Sequence, residues 1–81
     1  MENREFQEAL GHRIKRIRIE KNLSQTLLAT KCGIEKANLS RIESGQANPT
    51  VLTLLKISAS LQVPILEFFK HEVAEQGLAA L

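Results

Sequence analysis

The sequence predicts an all-α protein, and three observations lead to that fold class. Apolar residues recur every three or four positions through most of the 81-residue chain, a spacing that places them on one face of a helix. Residues that begin and end helices divide the chain into segments of helical length. No run of alternating apolar and polar residues predicts a strand.

Helix 1 is expected at about residues 5–20. Asn22 follows it and can adopt the left-handed conformation that ends a helix. The apolar stripe of this helix consists of Phe6, Leu10, Ile14 and Ile17.

The next two helices are short and closely spaced. Ser24 stands at a good N-cap position for helix 2, residues 25–32, which Gly33 closes. Helix 3 then covers residues 36–44 and ends at Gly45. Two helices of about eight residues with a glycine-containing turn between them predict a helix-turn-helix.

Two further helices complete the predicted fold. Thr50 can cap helix 4 at residues 51–61. Pro64 is suited to the first turn of helix 5, expected at residues 64–76, since no helical N–H bond is lost there.

Composition indicates one folded domain covering residues 1–81. Hydrophobic residues make up 43% of the chain and charged residues 25%, as in ordinary globular proteins. A single cysteine, Cys32, excludes an internal disulfide. No apolar run is long enough to span a membrane, and the polar first eight residues do not fit a secretory signal, so a cytoplasmic protein is expected.

Several of these motifs resemble those of the phage repressor and Cro-like helix-turn-helix regulators, the Xre group. The resemblance covers residues 10–69, and restriction–modification controller proteins are one candidate branch within the group. It implies a five-helix lambda-repressor-like domain that binds double-stranded DNA. The matching motifs are Ile17-Arg18, Leu23-Ser24-Gln25, Leu28-Ala29, Gly33-Ile34, Leu39-Ser40-Arg41-Ile42-Glu43-Ser44-Gly45 and Asn48-Pro49-Thr50.

Helix 3 is the expected recognition helix. Leu39 and Ile42 must face the core, which leaves a short polar surface directed outward. Arg and Lys can donate to guanine, Asn can pair with adenine, and an alanine methyl can contact thymine. The residues expected to read bases are Lys36, Ala37, Asn38, Ser40 and Arg41.

Contacts to the DNA backbone are expected near the start of helix 2. The N–H groups there form an anion site, and the resemblance implies that Gln25 clamps a phosphate. Glu35, where the family usually has Ser or Thr, is a poor cap and would repel phosphates. Further phosphate candidates are Arg13, Ser44, Gln46 and Asn48.

The resemblance also implies a buried ion pair between Arg18 of helix 1 and Glu43 of helix 3. Removing one partner of such a pair leaves the other charge buried without compensation. Glu43 is therefore interpreted as a structural residue.

Apolar residues on helices 4 and 5 predict an interface between two copies of the chain. A two-fold homodimer is economical because one patch then covers itself. The alternative is that helix 5 folds back over this surface. The predicted interface residues are Leu52, Leu55, Ala59, Leu66 and Phe69.

Other functions have less support in the sequence. His12 and His71 lack partners at metal-ligand spacing, and Cys32 takes a core position, so no catalytic residue, metal or cofactor is expected. No small-molecule effector is expected either. A protein-interaction module, such as an antitoxin-like partner with the same fold, remains the alternative, favoured by a net charge of only +2. The salt dependence of DNA binding would separate the two.

Overall fold

The computed structural model describes residues 3–70, and every regular element among them is helical. This confirms the predicted all-α class. The elements are α1 (Asn3–Glu20), α2 (Gln25–Cys32), α3 (Lys36–Glu43), α4 (Val51–Leu61) and a 3₁₀ helix (Ile65–Phe69).

The core lies where these five elements meet. Helix α1 packs against α3 and the 3₁₀ helix, and α2 packs against α3 and α4. Phe68 of the 3₁₀ helix is completely buried and is among the largest buried side chains. The other buried apolar residues are Leu10, Ile14, Ile17, Leu28, Ala29, Cys32, Leu39, Ile42, Leu54, Ile57 and Leu61.

Local chemistry sets the ends of the short helices. The Ser24 hydroxyl accepts a hydrogen bond from the Leu27 amide (3.0 Å) at the start of α2, and Thr50 caps α4 through the Thr53 amide (3.1 Å). Gly33 ends α2 in the left-handed region, with φ of 70°. These contacts satisfy backbone groups that a helix end leaves without partners, and the turn at Gly33 leads directly into α3.

A glycine lets α1 approach α3 closely. A Cβ on Gly11 would collide with the carbonyl oxygens of Ile42 and Glu43. The packing therefore requires glycine at this position. It also brings the last turn of α3, which carries Glu43, directly against α1.

The structure corrects the expected fifth helix. Residues 65–69 form a 3₁₀ helix in which the Glu67 amide donates to the Pro64 carbonyl (2.9 Å), the i→i+3 bond of this tighter helix. Lys70 has already left the helical region, with φ of −89° and ψ of 82°. The α-helix expected at residues 64–76 is thus wrong up to Lys70, and its remainder lies outside the described residues.

Among residues 3–70, no helix is both long and apolar enough to cross a membrane.

Candidate nucleic-acid interface

Helix α3 divides into a buried face and an exposed face. Leu39, Ile42 and Glu43 are buried against α1 and α2. The remaining side chains point away from the core. Lys36, Ala37, Ser40 and Arg41 are exposed, and Asn38 is half-buried.

The polar side chains on the exposed face have no hydrogen-bond or ion-pair partner among residues 3–70. Lys36 and Arg41 carry positive charge, and Asn38 and Ser40 can each donate and accept. Their bonding capacity is therefore open to a ligand. The structure places all five predicted base-reading residues together on one eight-residue helix.

The buried face of α3 is held by a two-point ion pair. Arg18 Nε donates to Glu43 Oε2 (2.7 Å) and Arg18 Nη2 donates to Glu43 Oε1 (3.0 Å). A third guanidinium bond runs from Nη1 to the Leu23 carbonyl (2.7 Å). The side chains are only 9% and 2% exposed. Such a bidentate pair fixes the orientation of both partners, and the expected contact between Arg18 and Glu43 is present.

Gln25 extends this buried cluster to the protein surface. Its Nε2 donates to Glu43 Oε1 (2.9 Å) from the first turn of α2. Nε2 carries two hydrogens, and the second has no partner among the described residues. The contact with Glu43 therefore holds the Gln25 amide in place while leaving one donor for a ligand at the N-terminus of α2. We refer to Arg18, Glu43 and Gln25 as the buried cluster.

Arg13 lies in a different environment from the one the sequence suggested. Its Nε donates to the Glu67 carbonyl (2.9 Å), and its Nη2 lies 3.5 Å from Glu67 Oε1. The side chain is 23% exposed. Arg13 thus joins α1 to the 3₁₀ helix, which weakens its case as a phosphate contact. This role was missed because nothing in the sequence links positions 54 residues apart.

Glu67 has a second cationic neighbour. Lys70 Nζ lies 2.6 Å from Glu67 Oε2. This hydrogen bond, together with the charges of Lys70 and Arg13, holds the pKa of Glu67 below the usual glutamate value despite partial desolvation. We refer to Arg13, Glu67 and Lys70 as the surface cluster.

The other phosphate candidates lie at the C-terminal end of α3 and in the loop that follows. Ser44 Oγ donates to the Arg41 carbonyl (3.2 Å) and remains exposed. Gln46 and Asn48 are exposed, and their side chains have no partner among residues 3–70.

Most of the predicted dimer interface is open to solvent. Leu52 is 71% exposed, Leu66 63% and Leu55 45%, and Ala59 is also exposed. Phe69 differs because it is half-buried and stacks on Phe6, with ring centroids 6.2 Å apart. Val51, at 67% exposure, adds to the apolar surface and was not predicted. Within the described residues, the 3₁₀ helix does not cover this surface.

The described residues contain no cluster of side chains suited to a metal ion. His12 is exposed and Cys32 is buried. His71 lies outside the described residues.

Known proteins of similar sequence include a transcriptional regulator and a control protein. The transcriptional regulator SinR of Bacillus subtilis (strain 168) is 42% identical over 71 residues, which cover 84% of this chain and 64% of SinR. The chain therefore spans less than two thirds of that regulator's length. The control protein C.MunI of a Mycoplasma species is 37% identical over 60 residues, covering 73% of this chain and 81% of C.MunI.

A solved structure and a helix-turn-helix family model also match the chain. The crystal structure of the restriction–modification controller protein C.AhdI from Aeromonas hydrophila superposes with a TM-score of 0.76 at 31% identity, covering 76% of this chain and 94% of C.AhdI. The helix-turn-helix family model HTH_3 matches residues 14–68, more than half of the chain. The match includes α2, the turn and α3. The chain belongs to the helix-turn-helix family.

Proposed function

We propose that this protein is a sequence-specific, double-stranded DNA-binding transcriptional regulator that acts as a homodimer on a pseudo-palindromic operator. One observation carries the proposal. The exposed face of α3 presents polar side chains without partners among residues 3–70, on a helix whose opposite face is fixed by the core and the buried cluster. A rigid helix with open donors is what reading base edges in the major groove requires.

Base readout is assigned to the exposed face of α3. Arg41 and Lys36 supply donors for guanine, and Asn38 can pair with adenine. Ala37 offers a methyl contact for thymine, and Ser40 can bond to several base edges.

Backbone contacts position the helix. Gln25 is the principal phosphate contact, because its second side-chain N–H, which has no partner in the described part of the chain, lies at the N-terminus of α2, where backbone N–H groups and the helix dipole attract anions. Ser44, Gln46 and Asn48 are further candidates, and Arg13 is the weakest because Glu67 already binds it. Such contacts set register and affinity without reading sequence.

Two copies associate through the apolar surface of α4 and the 3₁₀ helix. Its most exposed predicted residues are Leu52, Leu55 and Leu66, and Ala59 and Phe69 complete the proposed interface. A two-fold axis through this surface would present two recognition helices to successive major grooves, about 34 Å apart. Residues 1–81 are assigned to one DNA-binding domain in the cytoplasm, without catalytic activity, cofactor or small-molecule effector.

The test is selection of bound duplexes from a random library near physiological salt, using the wild type and Arg41→Ala. The wild type should enrich a two-fold symmetric site with half-sites about one helical turn apart. Arg41→Ala should relax preference at one position of each half-site, a loss of about 1–3 kcal/mol in discrimination. A folded wild type that enriches no sequence would overturn the proposal and favour the protein-interaction module.

The proposed dimer interface is tested by replacing an exposed leucine with lysine at two positions, one inside the interface and one outside it. Leu52→Lys should shift sedimentation from dimer to monomer and weaken operator binding, because a lysine would be buried at the two-fold interface. Leu27→Lys is the control, since Leu27 is also an exposed leucine (45%) but lies on α2. Equal sedimentation of both variants and the wild type as dimers would exclude this surface.

A further inference from the structure

Glu35 occupies the N-cap position of α3 without acting as a side-chain cap. Its backbone is extended, with φ of −74° and ψ of 142°, and its carboxylate makes no bond to the first amides of the helix. The side chain is exposed and has no hydrogen-bond or ion-pair partner among residues 3–70. A carboxylate without a hydrogen-bond or ion-pair partner among these residues therefore stands at the start of the proposed recognition helix.

The same carboxylate borders the base-reading surface. Glu35, Asn38 and Arg41 line one open cleft, together with Gly33 and Ile34 of the preceding turn. Two of these residues belong to the set proposed to read bases. The N-terminal residues of a recognition helix are those that contact base edges, so Glu35 lies at the end of α3 that approaches the bases.

A carboxylate in this position distinguishes the four bases by the hydrogen-bond donors and acceptors on their edges. When ionised it can only accept hydrogen bonds. In the major groove, guanine offers acceptors at N7 and O6, and thymine offers O4 beside its methyl group. Only the amino groups of cytosine N4 and adenine N6 donate. Adenine adds the N7 acceptor beside its amino group, so the edge that suits a carboxylate best is that of cytosine.

We infer that Glu35 is a specificity-determining residue that selects cytosine at one base pair of each half-site. The inference rests on the proposed function. At that base pair, guanine or thymine would leave the carboxylate desolvated against an acceptor, which is unfavourable. Glu35 also repels the DNA backbone, so it lowers affinity for DNA in general while favouring one base. A negative charge at this position therefore suits a side chain that contributes to base selectivity and not to the overall affinity for DNA.

The experiment is the same random-library selection with the wild type, Glu35→Ala and Glu35→Gln, with folding checked by thermal melting. Glu35→Ala should lose its cytosine preference at one position by about tenfold, the scale of a single base contact. Glu35→Gln should move the preference at that position from cytosine to adenine, because a glutamine amide pairs with adenine N6 and N7. Preferences elsewhere should be unchanged. The control is Glu20→Gln, which removes the same charge from an exposed ion pair on α1.

The outcomes separate this inference from the proposed function. If both Glu35 variants keep every base preference of the wild type and only bind all DNA more tightly, Glu35 acts through charge alone and the inference is overturned. If the folded wild type enriches no sequence, the proposed function fails and the inference fails with it.

Discussion

Two ion-pair clusters connect α1 to other parts of the fold, and they differ in depth. The buried cluster joins α1 to α3, with the Arg18 and Glu43 side chains 9% and 2% exposed. The surface cluster joins α1 to the 3₁₀ helix, with the Arg13 and Glu67 side chains 23% and 29% exposed. Both pair an arginine with a glutamate far away in the sequence, but only the first excludes water from both charges.

The comparison shows that an arginine–glutamate pair contributes differently to the fold when it is buried and when it is partly exposed. In the buried cluster, Arg18 donates to both Glu43 oxygens and to the Leu23 carbonyl, and Gln25 adds a further donor. A charge there cannot be re-solvated if its partner is lost. In the surface cluster, water and Lys70 can replace a lost contact. The first cluster holds the proposed recognition helix α3 against α1, whereas the second connects α1 to the 3₁₀ helix at the surface.

The largest expected effect comes from breaking the buried cluster. Glu43→Ala strands the Arg18 guanidinium in the core, so the free energy of unfolding should fall by about 3–5 kcal/mol. Because small domains have a total stability of only about 5–15 kcal/mol, the variant should lose much of its stability and melt at a clearly lower temperature than the wild type, before any DNA contact is affected. Urea denaturation measures the loss.

The matched control for Glu43→Ala removes an exposed glutamate. Glu20 pairs with Arg16 at 3.8 Å on α1, and both side chains are more than 60% exposed. Glu20→Ala should cost no more than about 1 kcal/mol. If Glu43→Ala kept the full melting temperature of the wild type, the structural role of the buried cluster would be refuted.

An intermediate effect is expected from Gln25, the member of the buried cluster that reaches the proposed DNA surface. Gln25→Ala should weaken binding to operator and unrelated duplexes alike by about tenfold, because a hydrogen bond to a charged group contributes about 1.5 kcal/mol or more. The salt dependence of binding should stay unchanged, since glutamine releases no counterion.

Lys36→Ala provides the contrast for Gln25→Ala in the same titrations. Loss of this cation should reduce the slope of log affinity against log salt concentration by up to about one, in addition to relaxing the preference for guanine at one position. Fluorescence anisotropy at several salt concentrations measures both variants. If Gln25→Ala changed base preference at one position and spared unrelated DNA, Gln25 would be a base reader instead.

The sequence predicted the ion pair between Arg18 and Glu43 and the helix-turn-helix because both depend on local or family-specific signals. Ser24 and Gly33 mark the ends of α2 through their own backbone chemistry, and both act in the structure as expected. The pairing of Arg18 with Glu43 followed from the resemblance, since no local pattern links the two positions. The contact of Gln25 with Glu43 was not predicted.

The surface cluster and the 3₁₀ helix could not be predicted because tertiary packing determines them. Arg13 was assigned to phosphate from its charge alone, but the contact with Glu67 depends on where the 3₁₀ helix lies. Likewise, Pro64 and the apolar spacing predicted an α-helix. The chain instead forms a 3₁₀ turn that buries Phe68 completely. Helix propensity is a weak preference that tertiary packing often overrides, and this segment packs against the core through Phe68.

The smallest expected effect comes from the surface cluster and appears as pH dependence. Lys70 and Arg13 hold the pKa of Glu67 below its usual value, so the folded state binds fewer protons there than the unfolded state. The resulting stability is present above the usual glutamate pKa and is lost as the pH falls through the lowered pKa of the folded state. Glu67→Gln should therefore destabilise the protein slightly at neutral pH, while its melting temperature should fall less than that of the wild type on acidification. Glu20→Gln controls for the loss of one exposed carboxylate. If Glu67→Gln matched the wild type across the whole pH range, Glu67 would contribute only through its backbone carbonyl, which Arg13 binds in either form.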